Sequence, residues 1–172
     1  TAEYLHDNLQ QIETAFLKAQ SSKNNESTLK CTNRYREKLR KIRTYSTKTI
    51  NDIHINDMQI DSITTDMIPE NEKRTIQNSK EYYDKLTDMI ITFHRQLIEE
   101  CVSVLGEPDC QYALIGLGSL ARKEVTAWSD LESAIIFDST GKTPEECIEI
   151  KRKFRALVHY LHMKVINLGE TK

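Results

Sequence analysis

No stretch of the 172 residues comes near the roughly 18 consecutive apolar residues that a membrane helix needs. Cysteine is sparse and unpaired. Cys31, Cys101, Cys110 and Cys147 lie far apart and none sits in a C-x-x-C pair, which argues against a zinc site or a dithiol redox centre. They are expected to be reduced thiols of a cytoplasmic protein, some packed as small hydrophobes. An excess of one charge is missing too. Lys+Arg 24 against Asp+Glu 26 leaves a formal net charge of -2, so no global field draws the chain toward nucleic acid. The opening Thr1-Ala2-Glu3-Tyr4 is acidic and polar, unlike a secretory signal. With no initiator Met, it is expected to start a piece of something longer.

With 38% hydrophobic and 29% charged residues, a globular chain is expected, as one domain or as a catalytic core with a helical extension. Tyr4/Leu5, Leu9, Ile12 and Phe16 recur at helical spacing and predict a helix over 3–20. Ser21 to Asn25 reads as a linker, and Ser27 or Thr28 can cap a second helix running to about residue 48. Residues 49–72 fit neither the helical nor the strand period. They predict a loop with one short or frayed helix, ended by Pro69.

A long helix is predicted over about 71–105. Leu86, Ile90, Phe93, Leu97, Cys101 and Val104 step by four, three, four, four and three, and Gly106 with Pro108 stops the helix. Short apolar runs at 112–117 and 131–137 predict strands, with the turn Asp138-Ser139-Thr140-Gly141 after the second. Pro144 opens a helix whose inner face is Ile150, Phe154, Leu157 and Leu161, and Val165, Ile166 and Leu168 predict a third strand. The expected fold is α+β. A helical extension over 1–70 packs with a core over 71–172 that holds a small mixed sheet and continues past Lys172.

Chemistry concentrates in "LIGLGSLARKEVTAWSDLESAIIF", residues 114–137. On a strand, Asp130 and Glu132 would share a face, with Leu131 turned away. Like charges held so close repel unless a divalent cation bridges them, and Mg²⁺ suits one or two carboxylates plus water and substrate phosphates. Upstream, Gly118 has no Cβ to keep a phosphate from its backbone, and Ser119 offers a hydroxyl and opens a short helix. Arg122 and Lys123 would balance triphosphate charge.

These residues resemble the polymerase β-type nucleotidyltransferase superfamily: a strand ending in Gly118-Ser119, ten residues, then the acid-x-acid of Asp130-Leu131-Glu132. The resemblance is closer to the nucleotidyltransferase domain at the start of bacterial PII uridylyltransferases and their relatives. Its string is met by Gly118, Ser119, Arg122, Glu124, Val125, Ser129, Asp130 and Glu132. "HRQLIEECVSVLGEPDCQYALIGLGS" and "KVINLGET" are similar to eukaryotic-type members of the group. The specific match spans about residues 93–137 and, more weakly, 158–171.

The resemblance implies transfer of NMP from an NTP, with two Mg²⁺ ions on Asp130 and Glu132. Gly118 and Ser119 would hold the β- and γ-phosphates, with Arg122 assisting, and a protein hydroxyl would be the acceptor. Members usually carry Asp where Glu132 stands, and a third carboxylate comes from a later strand, for which Glu170 is the candidate. The alternative is a catalytically silent relative, a binding or scaffold module of a larger multidomain protein.

Other readings stay open beside these. Glu124 is expected to pair with Arg122 or Lys123, or to cap the turn, rather than to do acid-base work. Trp128, the single Trp, is expected to pack the turn rather than stack on a base. Residues 23–48 hold nine Lys/Arg against two Glu, with Tyr35 and Tyr45 interleaved. That is a solvated basic helix face, or a surface for RNA.

Overall fold

Leu86, Ile90, Phe93, Leu97 and Cys101 recur at helical spacing, and all five are buried along one helix, α3 (Ile68–Leu105). The computed structural model describes residues 8, 11–18, 28–58 and 68–169. Residues 11–18 form α1, and α2 spans Thr28–Met58. After α3 come β1 (Tyr112–Gly116), the single turn α4 (Gly118–Ala121), β2 (Ser133–Phe137) and α5 (Pro144–Asn167). The chain is α+β, mostly helical with a small sheet.

The sheet has two strands among the described residues. Leu117 N–H donates to the Glu132 carbonyl at 2.8 Å, and Asp138 N–H donates to the Gln111 carbonyl at 2.8 Å. The partners run in opposite order, so the pairing is antiparallel, where a mixed sheet was expected.

The third strand is absent because α5 carries straight through it. Ile150, Phe154, Leu157, Leu161, Lys164 and Leu168 step by four, three, four, three and four, and all six are buried. The apolar stripe never broke; a lysine occupies one of its positions. Gly169, at φ +81°, follows the last turn in the left-handed conformation that suits glycine.

Two other expectations change. α2 runs ten residues beyond its predicted end, to Met58. Ile50 and Ile55 are about half exposed there, so no burial pattern marked the helix. Pro69 does not end a helix but sits in the first turn of α3. A missing N–H costs nothing at that position, because the first amides of a helix have no carbonyl to reach.

The contacts divide the chain into two compact units. The first takes in the described residues of Thr1–Glu37, His94–Ile115 and Ile135–Lys172. Its core holds Leu17, Tyr35, Leu97, Cys101, Ile150, Phe154, Leu157 and Tyr160. Each strand sends one aromatic ring onto Phe154: Tyr112 edge-on at 5.2 Å and Phe137 tilted at 5.7 Å. Burial pushes the Cys101 thiol up to about 12, as expected of a cysteine used as a small hydrophobe.

The second unit takes in the described residues of Lys38–Phe93 and Gly116–Ala134. Leu39, Ile42, Tyr82, Leu86, Ile90 and Phe93 are its helical core, joined by Val125 and Ala127. A buried hydrogen bond of 2.7 Å links Ser46 Oγ and the Tyr82 hydroxyl inside it.

α5 starts on a capping box. Thr143 Oγ1 accepts from Glu146 N–H at 3.2 Å, and Glu146 Oε2 accepts from Thr143 N–H at 2.7 Å, with Pro144 opening the first turn. Thr143→Ala is expected to cost about 1 kcal/mol in urea unfolding, while Thr143→Ser costs little. Equal losses for both variants would show that the cap contributes nothing.

Candidate functional site

β1 ends at Gly116 because the chain must turn there. A Cβ on Gly116 would meet Leu120 Cδ2 at 2.7 Å, so the missing side chain lets α4 fold back closely. Leu117 is extended, at φ -118° and ψ -178°, and Gly118 then turns left-handed at φ +56°. α4 lasts one turn, closed by Arg122 N–H to the Gly118 carbonyl and by Glu124 N–H to the Ser119 carbonyl. Lys123 takes φ +56° without being glycine, a conformation that costs an L-residue about 1–2 kcal/mol and ends the turn.

The loop that follows is pinned at two points. Val125 and Ala127 are buried, while Thr126 and Ser129 tie its crest. Thr126 N–H donates to Ser129 Oγ at 2.9 Å, the two hydroxyls lie 3.0 Å apart, and Ser129 N–H donates to the Thr126 carbonyl at 3.2 Å. Trp128, expected to pack this turn, is instead 56% exposed. Val125 and Ala127, both ahead of it in the chain, take the buried positions, and the indole is left outside.

Asp130 and Glu132 precede β2 rather than lying on it, since the strand begins at Ser133. Strand alternation therefore does not set their directions. Backbone pairing does that for Glu132: its carbonyl accepts from Leu117 N–H, which holds residue 132 across from the Gly-Ser turn. Its side chain then lies over Gly118. A Cβ on Gly118 would strike the Glu132 carboxylate, whose Cδ is 2.9 Å from that position. The carboxylate fills the space that glycine leaves.

Both acids are exposed, and among the described residues neither carboxylate has a hydrogen-bond or ion-pair partner. The two cations beside them are engaged. Arg122 Nε donates to Glu124 Oε2 at 2.8 Å, as expected of Glu124. Lys123 Nζ donates to Asp84 Oδ1 at 2.9 Å. That bond holds the Asp84 carboxyl below its usual range and raises Lys123 above its own. Both pairs are well exposed, so they cost little to open. Asp84 gave no sign in the sequence, being 39 residues from its partner.

The structure thus brings Glu132 onto Gly118 beside Ser119, and it turns Arg122 and Lys123 toward acids. Glu170 lies outside the described residues. Among the described residues no three or more His, Cys, Asp or Glu cluster as a metal site. Two unpaired carboxylates still suit Mg²⁺, which takes one or two protein carboxylates and completes its shell with water and phosphate oxygens.

Residues 28–48 of the basic segment lie on α2. In the first unit Arg34 pairs with Glu100 at 2.7 Å, and Arg36 donates to the Asn167 carbonyl at 2.5 and 3.0 Å. In the second, Arg43 Nε donates to the Ala127 carbonyl at 3.3 Å. Among the described residues no helix is long and apolar enough to cross a membrane.

No curated protein and no solved structure matches the chain. A protein-family model does, over residues 60–171, which include the Gly-Ser turn, both acids, the sheet and α5. With well over half of its length matched, the chain belongs to the family described as "Putative nucleotidyltransferase DUF294".

Proposed function

We propose that the chain transfers NMP from a nucleoside triphosphate to a protein hydroxyl, with Asp130 and Glu132 as the metal-binding acids. The observation that carries this is the Glu132 carboxylate lying unpaired over the bare Cα of Gly118. An anion kept free of cations, beside a turn open to phosphate, suits a site completed by a divalent ion and a triphosphate. The Ser119 hydroxyl would donate to a phosphate oxygen. Arg122 and Lys123, released from their exposed acid partners, would bind the triphosphate charge.

The acceptor hydroxyl would lose its proton to solvent and form its bond to the α-phosphorus while the α–β bridging bond breaks and pyrophosphate leaves. Mg²⁺, when bound, supplies charge neutralisation on the phosphates and acidifies the attacking hydroxyl. Asp130 and Glu132 hold and orient; Gly118 leaves room. A third carboxylate, if Glu170 is one, would join them.

A second reading has its own support. Arg122 and Lys123 are already neutralised by Glu124 and Asp84, which suits a silent binding module as well as a resting enzyme.

One experiment separates the two. The protein is incubated with each of the four α-labelled NTPs, with Mg²⁺ or Mn²⁺, and melting is followed in parallel. The enzyme reading expects label on the chain or on an added acceptor protein. It also expects a stabilisation of about 2.7 kcal/mol when the NTP is at a hundredfold excess over its Kd. A melting shift with no label favours the silent module. Neither label nor shift with any NTP and either metal overturns nucleotide binding altogether.

A further inference from the structure

Trp128 is the one tryptophan in the chain, and more than half of it faces solvent. Tryptophan is highly buried on average, so this exposure calls for a cause. The loop is not loose. Val125 is 2% exposed and Ala127 4%, and the Thr126–Ser129 hydrogen bonds close the turn between them. Trp128 N–H itself donates to Thr126 Oγ1 at 3.3 Å. A tied turn thus holds the indole outward.

A cation attends the ring. Arg43 reaches from α2 to place its guanidinium carbon 5.9 Å from the indole centroid, while its Nε donates to the carbonyl of the neighbouring Ala127. Arg43 therefore fixes both the backbone beside the ring and one side of the ring itself. Asp130 follows two residues later, so its Cα lies within ~7 Å of that of Trp128. All of these residues belong to the second unit, which also holds Gly118 and Glu132.

From this arrangement we infer that Trp128, oriented by Arg43, is the platform on which the base of the nucleotide stacks. The inference rests on the proposed nucleotide site and adds the half of the ligand that the acids and the Gly-Ser turn leave unaddressed. A nucleoside triphosphate has an anionic end and a flat aromatic end. The acid pair and turn suit the first; an open indole flanked by a cation suits the second. Stacking reads a π-face rather than a hydrogen-bond pattern, so this contact gives affinity with little choice among bases.

Because the chain has a single Trp, its fluorescence reports on the contact directly. NTP is titrated with Mg²⁺ while emission is recorded, and bound NTP is measured separately by equilibrium dialysis with label. Quenching is expected to follow the dialysis isotherm. Trp128→Ala is expected to weaken NTP binding by roughly 5- to 150-fold, and Trp128→Phe to retain most of it. Inorganic tripolyphosphate, which has no base, is expected to bind Trp128→Ala as well as it binds the parent chain. An unchanged urea midpoint confirms that each variant folds. NTP that binds by dialysis without altering emission, and equally well to Trp128→Ala, overturns the stacking platform and leaves the phosphate site standing. Dialysis that finds no NTP bound to the parent chain removes the site and the platform together.

Discussion

Lys164→Ala is expected to destabilise the protein by about 3–5 kcal/mol, lowering Tm by roughly 6–20 °C. Lys164 is 4% exposed and its partner Glu13 is 1% exposed, with Nζ 2.9 Å from Oε1. The ammonium also lies 3.7 Å from Glu100 and 5.2 Å from the Tyr160 ring centroid. Asn167 Nδ2 donates to Glu13 Oε2 at 3.0 Å. The Lys164–Glu13 contact is close yet poorly aligned, so among the described residues Glu13 Oε1 has no hydrogen-bond partner, and neither has Asn167 Oδ1. Removing the lysine would leave a buried carboxylate facing only neutral donors, the Asn167 amide and the Tyr160 hydroxyl, with no neighbouring ammonium to neutralise it. Desolvation then dominates, because two charges in a core contribute less by attracting each other than either costs when alone. Joint replacement, Glu13→Leu with Lys164→Met, is therefore expected to recover most of the loss. Urea unfolding of the parent, the single variant and the double variant decides it. A single-variant cost below about 1 kcal/mol would mean that water already solvates the pair.

The same lysine shows where the sequence could be read and where it could not. The stripes of α3 and of the first part of α5 were legible because apolar residues alone fill them. At Lys164 and Asn167 the stripe continues in polar residues, buried only because Glu13 meets them from α1, about 150 positions earlier. No local pattern carries that information, so three apolar residues near the end suggested a strand. Beyond residue 48 the limit was the opposite: α2 continues with exposed isoleucines, and an exposed helix has no periodicity to find. The candidate site divides in the same way. Gly118, Ser119, Asp130 and Glu132 were visible as types at a spacing. The reason for Glu132 was misplaced, since strand alternation was credited with what a single Leu117 to Glu132 hydrogen bond does. Asp84 and Arg43, which hold Lys123 and Trp128, come from helices distant in sequence and left no mark.

Gly118→Ala is expected to lower nucleotidyl transfer, or Mg²⁺-dependent NTP binding, by about 10- to 100-fold while the fold survives. Two effects act at this position and they can be separated. Gly118 sits at φ +56°, so any side chain there costs about 1–2 kcal/mol of backbone strain. The new Cβ also claims the space of the Glu132 carboxylate. That carboxylate ends a flexible, exposed side chain and can swing away cheaply, so the collision adds little to the folding cost. It moves one of the two proposed metal ligands all the same. Gly141→Ala is the control, because Gly141 has φ +70° with nothing within 4 Å of an added Cβ. It should match Gly118→Ala in urea midpoint and match the parent chain in NTP binding. Glu132→Gln, which keeps the shape and removes the charge, should match Gly118→Ala in lost function and the parent in stability. Full function in Gly118→Ala would show that the position of the Glu132 carboxylate is immaterial, and would leave the bare Cα as no more than a tight turn.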